Sequence, residues 1–343
     1  MTPSNMNPGK HGSHARGAAL LAAMLTVTLV ATLATASLWQ QWRAVEVEAA
    51  DRSRVQSGWI LTGAMDWSRL ILIEDARAGG ADHLAEPWAI PLQEARLSSF
   101  LAADRYNTVT DSDSTMEAFL SGQITDAQGR LNVLNLMDGN KVSARAMATF
   151  TKLFELLGLP QQQLADLAEN LRLAAESGAT EAPTPASKDN VSTALMPQRL
   201  EQLVWMGLPP RTLAIITPFV TLLPARTLLN VNTASAEALY AAVPTMAMAT
   251  AQKLIAERDR SHFRTLGDVI KYAPEISNPG NQDALTVTTR FFEVKGRLRI
   301  DDTTFQEHSL LQRDGLDVKI LWRERGVLQE GLPAGSTTVA SGR

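Results

Sequence analysis

The sequence predicts an α+β protein: a long N-terminal helix, an antiparallel sheet closed by C-terminal strands, and an all-helical block inserted between them. Three observations predict this. Residues 18–38 form an apolar run without charge, proline or glycine, no proline interrupts the chain from there to Arg77, and the periodicity of apolar residues changes from three or four to two after Phe291. The chain has 343 residues, 45% of them hydrophobic and 20% charged, which is a composition for folded domains and not for disorder. Its net charge of −4 supplies no basic field for nucleic acid or acidic lipid. There is no cysteine, which excludes thiol catalysis, disulfides and thiolate zinc sites. His11, His14, His83, His262 and His308 show no two-ligand spacing on one helical face.

The first element is the apolar run. As a helix, residues 18–38 would reach about 31 Å, the thickness of a bilayer's hydrocarbon core. Trp39 and Trp42 come next, where an interfacial aromatic belt belongs, and the polar leader before the run carries Lys10 and Arg16 with no acid. The positive-inside rule therefore keeps the leader cytoplasmic and translocates the chain beyond Arg43. Three readings fit this segment. A secretory signal would be cut after Ala34-Thr35-Ala36, leaving Ser37 first, although the run exceeds the usual ~7–15-residue apolar core. A plain anchor needs hydrophobicity alone. A cytoplasmic-face peptidase would instead cut at Arg16-Gly17-Ala18, where the basic leader meets the run. Initiation at Met6 in place of Met1 would shorten the leader and leave this junction intact.

Beyond the membrane, Ile60, Ala64, Trp67 and Ile71 recur at helical spacing and predict an apolar stripe. A single helix from the bilayer to Arg77 is the simplest reading, and Gly58 and Gly63 would allow a break. Residues 79–113 look irregular, with Pro87 and Pro91. Residues 119–126 predict a strand leading into a turn at residues 127–130. Helical patterns cover residues 143–157, 161–176, 198–206 and 234–260, separated by a linker at about 177–197 with Pro183 and Pro185. Residues 291–300, 305–311 and 316–323 alternate as half-buried antiparallel strands. Residues 331–343 read as a flexible tail.

The two helical stretches open alike, with Leu131-Asn132-Val133 in one and Leu229-Asn230-Val231 in the other. The second resembles a helix-hairpin-helix unit, a fold that grips phosphate through glycine amides at its hairpin. Here the hairpin reads Val243-Pro244-Thr245-Met246-Ala247-Met248, with no glycine and with Pro244 removing a donor. Six basic and five acidic residues fall within residues 226–275, too balanced for a phosphate-tracking face. No nucleic acid is expected as a partner. Asn230, Asn232 and Thr233 are read as caps for the helix beginning near Ala234.

Taken in order, these motifs resemble the type II secretion system protein K family, the largest minor pseudopilins. The resemblance rests on Arg16-Gly17-Ala18, on Asp126-Ala127-Gln128-Gly129-Arg130-Leu131-Asn132, on Leu229-Asn230-Val231-Asn232-Thr233, and on Phe291-Phe292-Glu293-Val294 with Ser309-Leu310-Leu311-Gln312-Arg313. It implies a pilin-like fold with an insertion of SAM-like or helix-hairpin-helix-like units. The leader would be residues 1–17, the membrane segment 18–38, the pilin-like parts 39–130 and 277–330, and the insertion 131–276. It also implies cleavage by prepilin peptidase after Gly17 and methylation of Ala18. The implied partners are I-like and J-like minor pseudopilins and the major pseudopilin filament, at the tip of a periplasmic pseudopilus rooted in the inner membrane. That filament helps export folded proteins across the outer membrane.

The fifth mature residue would then be Ala22, where most pilin-like subunits carry glutamate. An unpaired carboxylate in lipid is costly, so a tip subunit with no neighbour beyond it does better without one; an ordinary apolar anchor would show the same alanine. No enzyme activity and no cofactor are predicted. Calcium is associated with some members, and Asp111, Asp113, Glu117, Asp301, Asp302 and Asp314 offer oxygen ligands without an EF-hand spacing, so no ligands are assigned. The alternatives are a competence-type, membrane-anchored DNA-binding protein, a membrane-tethered enzyme, and a type IV pilus minor pilin.

Overall fold

The structure is a computed structural model that describes residues 14–98, 117–179, 195–300 and 303–328. The chain divides into two compact units, Met1–Ile60 and Leu61–Arg343. Helix α1, His14–Ala78, is continuous, so Gly58 and Gly63 are accommodated without a break. In the first unit Leu20, Leu25, Leu29, Leu33 and Trp39 are all more than half exposed, an apolar surface that nothing covers among the described residues. Thr26, Thr28, Thr32 and Thr35 each fold the hydroxyl back onto a carbonyl three or four residues earlier, at 2.8–2.9 Å. That satisfies within the helix the polar groups that lipid cannot. The helix is long and apolar enough to cross a membrane.

The second unit is built on a five-stranded antiparallel sheet, in the order β1 (Leu92–Arg96), β2 (Ala118–Asp126), β3 (Phe291–Ile300), β4 (Thr303–Asp314) and β5 (Asp317–Leu328). Gly315, at φ +59°, takes the first central position of the two-residue turn joining β4 to β5, where a hairpin needs a left-handed backbone. Strand β1 is missing from the sequence expectation because Leu-Gln-Glu-Ala-Arg alternates poorly; as an edge strand it needs only one good neighbour.

The part of α1 from Leu61 onward covers one sheet face. Leu61, Met65 and Leu72 are buried there, and Met65 and Leu72 share a core with Trp88, Ile124, Phe292, Val294, Leu311 and Val318. The predicted stripe is Ile60, Ala64, Trp67 and Ile71, and the buried one lies one residue further on. Both stripes are apolar, so periodicity alone does not choose between them. The sheet does: Gly122 and Gly296 stand directly opposite each other beneath the helix. A Cβ on Gly296 would lie 3.5 Å from Leu61. Long aliphatic side chains settle over that flat spot, and Trp67 is left 47% exposed beside it.

The helical block lies between β2 and β3 in sequence. It comprises α2 (Ala144–Leu156), α3 (Gln161–Ala179), α4 (Pro210–Ile216), α5 (Ala236–Ala242), α6 (Met248–Arg260) and α7 (Leu266–Tyr272), with a 3₁₀ turn at Leu200–Met206. One continuous core runs through it, from Leu131 and Phe150 to Leu239, Leu254 and Ile276. The repeat read from sequence has a structural counterpart. Leu131–Asn132 pairs in parallel with Val220–Thr221, and Leu229–Asn230 pairs in parallel with Leu285–Thr286. Each Leu-Asn thus opens a unit and meets the dipeptide that closes it.

Candidate functional site

Gly17 and Ala18 lie within the first turns of α1, and Ala18 and Ala22 are exposed. The leader up to residue 13 lies outside the described residues, as do Asp111, Asp113, Asp301 and Asp302. Glu117 pairs with Arg96 at 3.0 Å, and Asp314 lies 3.5 Å from Arg290. Among the described residues, Glu117 and Asp314 thus sit in separate ion pairs.

The residues that do converge form a polar seam where the sheet meets the helical block. Asp126, at the end of β2, is buried and accepts four hydrogen bonds. Gln128 N (2.7 Å) and Thr289 Oγ1 (2.6 Å) reach Oδ1, while Asn230 Nδ2 (2.9 Å) and Thr233 Oγ1 (2.6 Å) reach Oδ2. Burial pushes this carboxyl above its ordinary range, against the pull of Thr233, Thr289, Asn230 and Gln128. Gly129 is required beside it, since a Cβ there would lie 2.9 Å from Thr233 Oγ1. Arg130 leaves the same turn to pair with Glu293 at 2.6 Å. Burial would raise the Glu293 pKa, but His308 and Arg130 outweigh it and hold this carboxyl at about 2.

The asparagines do not cap the helix after Ala234 as expected; Ser235 does, accepting Ala238 N at 3.2 Å. Asn230 Oδ1 instead accepts Asn232 N, and its amide donates to Asp126 and to the Asp82 carbonyl. Asn232 exchanges two 2.9 Å hydrogen bonds with the backbone of Phe263. Asn132 repeats the device in the first unit, accepting Leu134 N and Leu223 N while donating to the Ala225 carbonyl. A buried side-chain amide can serve donors and acceptors at once, which is why these motifs carry asparagine.

The loop after α1 brings Asp82 and Glu86 to Asp75. Arg313 donates to Asp75, to Asp82 and, at 3.0 Å, to the Thr289 carbonyl. Oxygens of the three carboxylates lie within 4.8 Å of one another. Arg313 already supplies the counter-charge, and Glu86 Oε2 accepts His83 N (2.9 Å) and Trp88 Nε1 (2.7 Å), so no metal ligands are assigned. Burial, reinforced by Asp75 and Asp82, pushes Glu86 up to about 7 despite those two donors.

Lys152, which no motif signalled, fills the hairpin that a phosphate-binding unit would use. Its Nζ donates to the carbonyls of Val243 (2.9 Å), Pro244 (3.1 Å) and Met246 (2.9 Å) and sits 3.8 Å from the centroid of the Tyr240 ring. A hairpin presenting carbonyls to a cation is the electrostatic opposite of an anion cradle. Beside α1, an apolar groove of about 330 Å³ runs between the helix and the sheet. Trp67, Ile90 and Pro91 form its rim and the Gly122–Gly296 pair its floor.

A helix long and apolar enough to cross a membrane, an antiparallel sheet, and a helical block stapled to that sheet by a buried polar seam are together the architecture of the pseudopilin class. Two family profiles, both described as type II secretion system (T2SS), protein K, match residues 129–225 and 229–288. Over these two segments the chain matches the type II secretion system protein K family. It is 26% identical to the type II secretion system protein K of Pseudomonas aeruginosa, over 94% of this chain and 95% of that protein. It is likewise 26% identical to that of Pectobacterium carotovorum, over 92% and 97%. Its fold matches a chain of the GspK-GspI-GspJ complex from the enterotoxigenic Escherichia coli type 2 secretion system, at a TM-score of 0.60 and 16% identity, covering 81% of this chain and 98% of that one.

Proposed function

We propose that the chain is the tip subunit of a periplasmic pseudopilus, held in the inner membrane by residues 18–38 once prepilin peptidase has cut between Gly17 and Ala18 and methylated Ala18. The observation that carries the proposal is α1 itself, unbroken from His14 to Ala78. It takes in the Gly17–Ala18 junction in its first turns, has the length to cross a membrane, and ends packed on the sheet. A helix of that build serves a filament in which membrane segments bundle and soluble domains ride outside. Ala22 leaves no carboxylate in lipid for a missing neighbour to neutralise. The helical block, inserted between β2 and β3, adds bulk that suits an end position better than the interior of a filament. The solved neighbour was crystallised with I and J proteins. By analogy, the groove beside α1 would receive the helix of such a partner, and the chain's role would be to initiate pseudopilus assembly for export of folded proteins.

The test is the N-terminal residue of the membrane-extracted protein, read by mass spectrometry with and without prepilin peptidase. A peptidase-dependent start at Ala18 is expected. An intact leader, or a start at Ser37, would sink the tip-subunit reading.

A further inference from the structure

The imidazoles of His83 and His262 stack face to face, with centroids 3.7 Å apart and planes 11° from parallel. His83 lies in the loop after α1 and His262 just beyond α6, so the pair bridges the sheet side and the second helical unit. Neither ring is free to drift. Asp82, beside His83, has its carbonyl held by Asn230 Nδ2 at 3.2 Å and its N–H donated to the Val287 carbonyl at 2.9 Å. Phe263, beside His262, is fixed on Asn232 by two 2.9 Å bonds. In addition, His83 Nδ1 accepts Ala85 N at 3.2 Å, so its neutral form carries the proton on Nε2. A second proton would land on Nδ1, against that N–H and against the facing ring.

We propose that the His83–His262 stack is a proton-operated latch, which in its neutral form pins the turn after α1 to the second helical unit and on mild acidification lets go. The charged groups around it set the direction. Asp75 of α1 favours charge on His83 but is engaged by Arg313 of β4, as is Asp82. Glu86 in the same loop accepts His83 N and Trp88 Nε1 and, held at about 7, loses its charge over the same acid range, so it offers none to a protonated His83. On α6, Arg258 points to the carbonyls of Val231 and Ala234, and Arg260 pairs with Glu257. Among the described residues, no fresh carboxylate faces the stack to neutralise a second charge. Burial and the facing ring of His262 accordingly depress the His83 pKa below its ordinary value. A group depressed in the closed form regains its affinity on opening, so protons drive the open form.

The experiment is hydrogen exchange by mass spectrometry on the full-length detergent-solubilised protein, at pH 7.5 and 5.5, with rates corrected for intrinsic pH dependence. In the wild type, amides of residues 82–86 and 261–265 should open about three- to tenfold more often at pH 5.5. His262→Phe keeps a stacking ring without a titrating nitrogen and should remove that difference while protecting the segment at pH 7.5. His83→Gln guards against a misfolded single variant and should also flatten the pH response. Equal pH responses in wild type and both variants would overturn the latch.

Discussion

Asp126→Asn tests whether the seam depends on a carboxylate or only on a polar side chain of that shape. Each Asp126 oxygen receives one hydroxyl and one N–H: Thr289 with Gln128 N on Oδ1, Thr233 with Asn230 Nδ2 on Oδ2. The hydroxyls can turn and become acceptors, but the N–H groups cannot. Nor can Asn230 flip, because its amide also serves Asp82 and Asn232. Whichever way an asparagine sits at 126, one buried N–H faces an NH₂ and loses its acceptor, at a cost of about 1–3 kcal/mol. Loss of charge assistance on the remaining bonds adds to this, and relief of the buried charge subtracts. The net expectation is about 2 kcal/mol, or a fall in Tm of about 4–8 °C at about 2–4 °C per kcal/mol. Thermal unfolding of the full-length protein at pH 7.5, monitored by near-ultraviolet circular dichroism, reads it out. Thr233→Val and Thr289→Val should each cost less, about 1 kcal/mol. If the asparagine variant melts with the wild type, the carboxylate is not the seam's fixed acceptor.

Three further outcomes rest on the same geometry. Gly129→Ala pushes a methyl onto the hydroxyl and backbone carbonyl of Thr233 and should cost about 1–3 kcal/mol; urea unfolding of the variant beside the wild type checks this. Lys152→Met leaves three carbonyls without their ammonium, and since the side chain is half-buried the cost should stay near 1–2 kcal/mol. Faster hydrogen exchange across residues 243–247 should accompany it. Glu293 has its carboxyl held at about 2 in the folded state, below its ordinary value of 4.5, so its contribution is complete above the ordinary range and lost as pH falls from about 4.5 towards 2. Glu293→Gln should therefore flatten that acid limb in a plot of Tm against pH, and an unchanged limb would remove Glu293 as its source.

Much of this architecture is legible because periodicity reports elements that pack on one face. The alternation after Phe291 and the apolar run at 18–38 both translate directly. The side of α1 that is buried does not, since two adjacent apolar stripes compete and only the glycine pair across β2 and β3 decides between them. The seam is half-visible: Asp126, Gly129 and the asparagines stand out as motifs, but their partners Asp82 and Thr289 come from remote parts of the chain and from no motif. Capping is a local rule, and it misassigns Asn230 and Asn232 because buried amides there have long-range claims. Lys152 gives no signal at all, because a lysine on a helix is ordinarily a solvated charge.

The helical block leaves the sheet at the end of β2 and returns at the start of β3, and these are neighbouring strands with Asp126 paired to Phe292. Any force applied to the block therefore reaches the sheet as a pull on two adjacent strand ends. Ladder bonds lie perpendicular to antiparallel strands, so any component of that pull which parts the two ends loads them singly, like a zipper, starting at the first rung. Asp126 with Thr289, Gln128 with the Arg290 N–H at 2.7 Å, and Arg130 with Glu293 cluster at that rung. They act as the bar tack at the end of a seam, keeping a tug on the crown from opening the fabric beneath it.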